Sequence, residues 1–141
     1  MPFDESTVRQ PPMHKAGIRA VMRAMQTDGF RIERADATGY TKPQSIGSKQ
    51  PDVIGYRTVD GLYAFGEAKT GDGDIDTEHT RTQIHEFAGR RMSGSGTQCP
   101  LYLAVPQPHV KEMANLLRSM GLLHMPHIKV IPFEWDDPMR K

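Results

Sequence analysis

Apolar positions along this chain change period several times, and each change marks an element. Ile18, Val21, Met22 and Met25 recur at i, i+3, i+4, i+7 behind Pro11-Pro12, which predicts an amphipathic helix stopped at Gly29. Phe30–Arg34 is a short strand candidate. The stretch from Ala35 to Gln50 has no periodicity and is rich in Gly, Thr, Lys, Ser and Gln, so it reads as a mobile loop or a loose hairpin tip. Val53–Val59 and Leu62–Phe65 are rich in strand formers and flank Asp60-Gly61, a strong hairpin signal. A turn at Gly71–Asp74 leads into a helix from about Thr77 to Met92, with Thr77 as cap and Ile84, Phe87 and Ala88 as its stripe. Ser93–Gly96 reads as a flexible linker, Leu101–Val105 as a fully buried strand, and Val110, Met113, Ala114, Leu117 and Met120 as a helix closed by Gly121. Ile128–Ile131 is the last strand. No internal repeat or low-complexity tract interrupts this order. Helix, three strands, helix, strand, helix, strand predicts an α/β chain with a mixed central sheet and helices on both faces.

The hairpin gathers charge. With Asp60 and Gly61 as the two loop residues, Val59 pairs with Leu62, Tyr56 with Phe65, Ile54 with Glu67 and Asp52 with Lys69. Side chains alternate along a strand, so Asp52, Glu67 and Lys69 fall on one face. Asp52 and Glu67 become diagonal neighbours, with Cα atoms about 7–8 Å apart. A one-residue change in the turn would move Asp52 to the opposite face. Ala64, Gly66 and Ala68 occupy the other face and leave room for a helix to approach closely. Two carboxylates and an ammonium at a strand end have two readings: an exposed salt bridge, or a pocket that holds a hard cation through oxygen ligands.

Composition narrows the class without choosing the function. The 141 residues form one expected domain, with residues 1–10 polar and flexible. A net charge of +1 means that any nucleic-acid surface must be a local patch. Residues 1–50 carry eight Lys/Arg against five acids, a modest bias that fits either a solvated face or a DNA contact. The single cysteine, Cys99, rules out an internal disulfide and a zinc ribbon and fits a reducing compartment. With no apolar run of membrane length and no signal-peptide pattern, a cytoplasmic location is expected. Asp72, Asp74 and Asp76 lack the acid at position twelve that a calcium loop needs, so they read as turn residues. His124-Met125-Pro126-His127 has no third ligand near it in sequence and reads as a loop. Several of the nine methionines fall on helical stripes, as packing explains.

Pro51-Asp52, fourteen residues, then Glu67-Ala68-Lys69, set in this order of elements, resembles the PD-(D/E)XK nuclease superfamily. The resemblance spans residues 13 to 106 and is greatest to the small archaeal-type Holliday junction resolvases and related resolvase-like nucleases. It implies an αβββαβ restriction-endonuclease-like core with an added C-terminal helix and strand. It implies a Mg²⁺ or Mn²⁺ site built from Asp52, Glu67 and the backbone carbonyl of Ala68, with Lys69 orienting a water. Gln83, one turn before Phe87, matches a glutamine that many members carry on the helix after the Lys strand. The implied activity is cleavage of branched or structured DNA in recombination or repair, with a homodimer supplying two sites. A restriction-type nuclease is the second reading, and a catalytically weak nucleic-acid-binding module the third. One departure stands out: members often supply a further acid from the first helix, and here none appears before Asp28. His14, or Glu5 from the preceding segment, is the candidate for that place.

Overall fold

The computed structural model describes residues 12–135. The α/β expectation is met by one five-stranded sheet in the spatial order β1-β2-β3-β4-β5. Its strands are β1 (Arg31–Ala35), β2 (Val53–Arg57), β3 (Leu62–Ala68), β4 (Leu101–Pro106) and β5 (Ile128–Phe133). β1, β2 and β3 form an antiparallel meander, whereas β4 runs parallel to β3 and β5 parallel to β4. Helix α1 is Pro12–Thr27, α2 is Glu78–Ala88 and α3 is Val110–Ser119.

Two apolar clusters separate the helices. α1 buries Gly17, Ile18, Val21 and Met25 on one face of the sheet, against Val53, Ala64, Ala68, Tyr102 and Ala104. The other face holds Ile54, Phe65, Leu101, Leu103 and Val105 against Ile84 and Phe87 of α2 and Met113, Leu116 and Leu117 of α3. Small residues set the depth at which α1 sits. A Cβ on Gly66 would lie 2.3 Å from Val21 Cγ1, and one on Gly17 would lie 2.8 Å from Ala68 Cβ. The helix takes the close approach expected from Ala64, Gly66 and Ala68.

The hairpin register differs from the two-residue expectation. Arg57 pairs with Leu62, Tyr56 with Tyr63 and Ile54 with Phe65, so the loop comprises Thr58, Val59, Asp60 and Gly61. The type I′ turn that an Asp-Gly pair favours needs positive φ at both central residues, and here only Gly61 has it, at 68°. Asp60 is held instead by Arg57, whose Nη2 donates to its Oδ2 at 2.8 Å, while Val59 stays 86 % exposed outside the ladder. The offset is two residues. Side chains alternate with period two, so each residue of β2 keeps its expected face.

The stretch from Ala35 to Gln50 is docked rather than loose. Ser48 Oγ donates to Glu86 Oε1 at 3.3 Å, Lys49 Nζ lies 3.2 Å from His79 Nδ1, and the Gln50 side chain donates to the Pro43 carbonyl. Short-range composition gave no sign of these contacts, because every partner on α2 lies about thirty or more residues away. Ser93–Gly96 likewise forms a closed turn, with Met92 N donating to Thr97 O at 2.8 Å and Gly96 N to Met92 O at 2.9 Å. α2 ends at Ala88 with Gly89 as its cap, four residues before the predicted stop. Among the described residues no helix is long and apolar enough to cross a membrane.

Candidate active site

Strand β3 carries apolar residues to its end and then delivers charge. Glu67 is 3 % exposed and Lys69, just past the strand, 8 %. Buried ions need partners, and both have them through Gln83 of α2. Lys69 Nζ donates to Gln83 Oε1 at 2.7 Å, Gln83 Nε2 donates to Glu67 Oε2 at 3.2 Å, and Lys69 Nζ lies 3.6 Å from Glu67 Oε2. Gln83 is itself buried beside Phe87, as its place one turn earlier predicts.

Asp52 lies one residue before β2, where the observed register, continued one step, sets it across from Glu67. Its backbone amide donates to Glu67 Oε1 at 3.1 Å, and its Oδ2 accepts from the Ala68 amide at 2.9 Å. Each acid is thus tied to the backbone beside the other. The expected diagonal placement is replaced by a directly opposed one, a consequence of the four-residue hairpin loop. Asp52, Glu67, Ala68, Lys69 and Gln83 are all brought together.

α1 closes another side. His14, in its first turn, sets Nε2 3.3 Å from Asp52 Oδ2. Of the two candidates for the missing helical acid, His14 therefore reaches the cluster, and Glu5 lies outside the described residues. Asp28 is held at the far end of α1, where its Oδ2 accepts from Tyr102 Oη at 2.6 Å and Lys129 Nζ at 3.0 Å.

Electrostatics follow from this crowding. Burial, reinforced by the neighbouring Asp52 charge, pushes the Glu67 carboxyl well above the ordinary carboxylate range, against the opposing pull of Lys69. For His14 burial acts downward, but the hydrogen bond and charge of Asp52 outweigh it and the imidazole is raised. On the Lys69 side, His79 is lowered by burial and by the charges of Lys49 and Lys69.

Sequence reasoning missed the brace that aims Gln83. Asp74 Oδ2 accepts from Thr70 N at 2.8 Å, its Oδ1 from Gly71 N at 2.8 Å, and its carbonyl from Thr80 Oγ1 at 2.7 Å. Thr77 caps α2 by accepting from Thr80 N at 3.0 Å. The chain leaving Lys69 is thereby fastened to the start of the helix that carries Gln83. The signal was present as the run Thr70-Gly71-x-x-Asp74, a side chain poised to cap its own turn.

Among the described residues no group of three or more His, Cys, Asp or Glu is disposed to hold a metal ion. The donors at hand are two carboxylates, with a strand-end carbonyl beside them. All are hard oxygen ligands of the kind that suit Mg²⁺ or Mn²⁺. A carboxyl held above its ordinary range by burial, with an adjacent carboxylate adding to the shift, is also a place where a cation relieves like-charge repulsion. The residues present fit such an ion. Comparison of the chain with models of known protein families, with curated proteins and with solved structures returned no match.

Proposed function

We propose that this chain is a metal-dependent DNA endonuclease that hydrolyses phosphodiester bonds in branched or structured DNA, in the manner of Holliday junction resolvases. The observation that carries the reading is the convergence of Asp52, Glu67 and Lys69 on one buried cluster bridged by Gln83. The antiparallel meander followed by a parallel strand, with α1 and α2 on opposite faces, supports assignment to the PD-(D/E)XK superfamily and its restriction-endonuclease-like core.

Held by the carboxylates of Asp52 and Glu67 and the carbonyl of Ala68, Mg²⁺ or Mn²⁺ would supply positive charge beside the scissile phosphate and acidify water there. Lys69 adds a fixed ammonium where negative charge builds up on the phosphate, and preorganised charge of this kind is the largest single contribution to many such reactions. Gln83 holds that ammonium at 2.7 Å, with Glu67 Oε2 3.6 Å away. His14 holds Asp52 from the side of α1. A homodimer with one site per chain would cut two strands, and sedimentation in solution tests it.

The rival reading is a catalytically weak nucleic-acid-binding module. It is favoured by His14, a nitrogen group that stands where a further oxygen ligand would otherwise come from. Labelled four-way junction, flap, linear duplex and single-stranded DNA, each with Mg²⁺, Mn²⁺ or EDTA, separate the readings. Metal-dependent cutting of the branched forms, lost in Asp52→Ala and Lys69→Ala, supports the nuclease. Binding without cleavage in every metal supports the module, and cutting of linear duplex at one fixed sequence supports a restriction-type enzyme.

A further inference from the structure

The cluster is open to water on one side. Glu67, Lys69 and Gln83 are buried, whereas the Asp52 and His14 side chains keep 14 % and 21 % exposure. From that opening α1 runs away along the sheet, and its solvent side is cationic. Lys15, Arg19 and Arg23 are exposed at i, i+4, i+8, so they form one stripe with steps of about 6 Å. α1 contains no Asp or Glu, and among the described residues none of the three cations is ion-paired.

Aromatic rings flank the stripe on both sides. Arg19 and Arg23 line a groove of about 720 Å³ between α1 and the edge strand β5, lined also by Trp135. Lys15 and Arg19 line a smaller hollow of about 230 Å³ with Tyr40, itself 41 % exposed. Each hollow carries one acid, Glu134 in the first and Asp36 in the second, so the cations outnumber the acids. Tyr40 is exposed, whereas Trp135 is half-buried, packed in part against the cluster beneath α1. Cations in a row bind a sugar-phosphate backbone, and the ring faces left open beside them stack unpaired bases without regard to sequence.

We propose that α1 is a track for a single, unpaired DNA strand, with its backbone on Lys15, Arg19 and Arg23 and a base stacked on Trp135. The inference rests on the nuclease reading for its direction toward Asp52, but the binding itself needs no chemistry. It names the feature of structured DNA that this protein would grip: the unpaired arm.

Trp135 is the only tryptophan in the chain, so intrinsic emission reports on this groove alone. The test uses the full chain carrying Asp52→Asn, without metal, and a labelled single-stranded oligonucleotide, with inorganic polyphosphate as an anion that lacks bases. The oligonucleotide is expected to quench Trp135 and polyphosphate to leave it unchanged. Lys15→Gln/Arg19→Gln/Arg23→Gln should raise Kd at least tenfold and reduce the log–log salt slope by about two, at about 0.7 per lost phosphate contact. In the cleaving protein the same triple change should raise KM and leave kcat. Equal affinity in the triple variant would overturn the proposal. So would an unquenched Trp135, equal quenching by polyphosphate, or an equal loss from the control pair Lys111→Gln/Arg118→Gln on α3. Failure of the nuclease reading shows instead as absent cleavage with binding and quenching intact.

Discussion

The backbone amide of Asp52 donates to Oε1 of Glu67 at 3.1 Å, while the Asp52 carboxylate accepts from the amide next to Glu67. Two acids that repel one another are therefore pinned together by main-chain dipoles. Removing the charge at Asp52 is expected to abolish metal-dependent cleavage by about a thousandfold or more. Asp52→Ala also leaves the Ala68 amide without its acceptor, at a cost of about 1–3 kcal/mol. Asp52→Asn keeps an oxygen there. Single-turnover assays on both variants, beside urea melts, should show equal loss of rate with unequal loss of stability.

Glu67 contributes a definite sign to how stability depends on pH. Its folded pKa is raised, so between the ordinary value of 4.5 and the raised one the folded chain binds more protons than the unfolded chain. Stability contributed by this group is present below 4.5 and is lost as pH rises through the folded value. His14, also raised, acts in the same direction from 6.5 upward, and the lowered, more exposed His79 opposes it below 6.5. The metal-free protein should melt at progressively lower temperature as pH rises from 5 to 8. Glu67→Gln should flatten that slope and be no less stable than the parent at pH 8. A slope unchanged by Glu67→Gln would refute the assignment.

Gln83 serves both neighbours, donating to one and accepting from the other. In Gln83→Ala the buried Lys69 ammonium loses its nearest acceptor, which should cost about 1–3 kcal/mol. Rate should fall through Lys69 rather than through binding, so kcat drops while KM for DNA holds. An unchanged kcat would remove Gln83 from the site.

Packing makes a separate prediction at Gly66. A methyl group there meets Val21 at 2.3 Å, so Gly66→Ala should destabilise by about 1–3 kcal/mol through overpacking. Val21→Ala in the same chain should recover part of the loss, because it removes the opposing methyls. Thermal melts of the two single variants and the double variant measure the coupling.

Local pattern foretold much of this architecture. The i, i+3, i+4, i+7 stripe of α1 lies on the sheet, although Met22 is only half-buried. Gly29 ends the helix with φ 91°, and Gly66 admits Val21. The hairpin loop was misjudged because Asp60 binds Arg57, a side-chain contact that competes with the turn that the pair Asp60-Gly61 favours. Docking of Ser48 and Lys49 on α2 and the approach of His14 to Asp52 were beyond periodicity, since each depends on how separate elements meet. Gln83 was legible because it shares a helix edge with Phe87, whose burial fixes where that edge points.

The four-residue tip of the hairpin has one last consequence. The acid pair requires parity as well as register. Sliding β2 along β3 by two positions would keep the Asp52 carboxylate on its face but carry it about 7 Å along the strand, away from the Ala68 amide that now holds it, whereas a slip of one would turn the carboxylate to the other face. Engineered changes of register in this hairpin should therefore weaken the site in even steps and abolish it in odd ones.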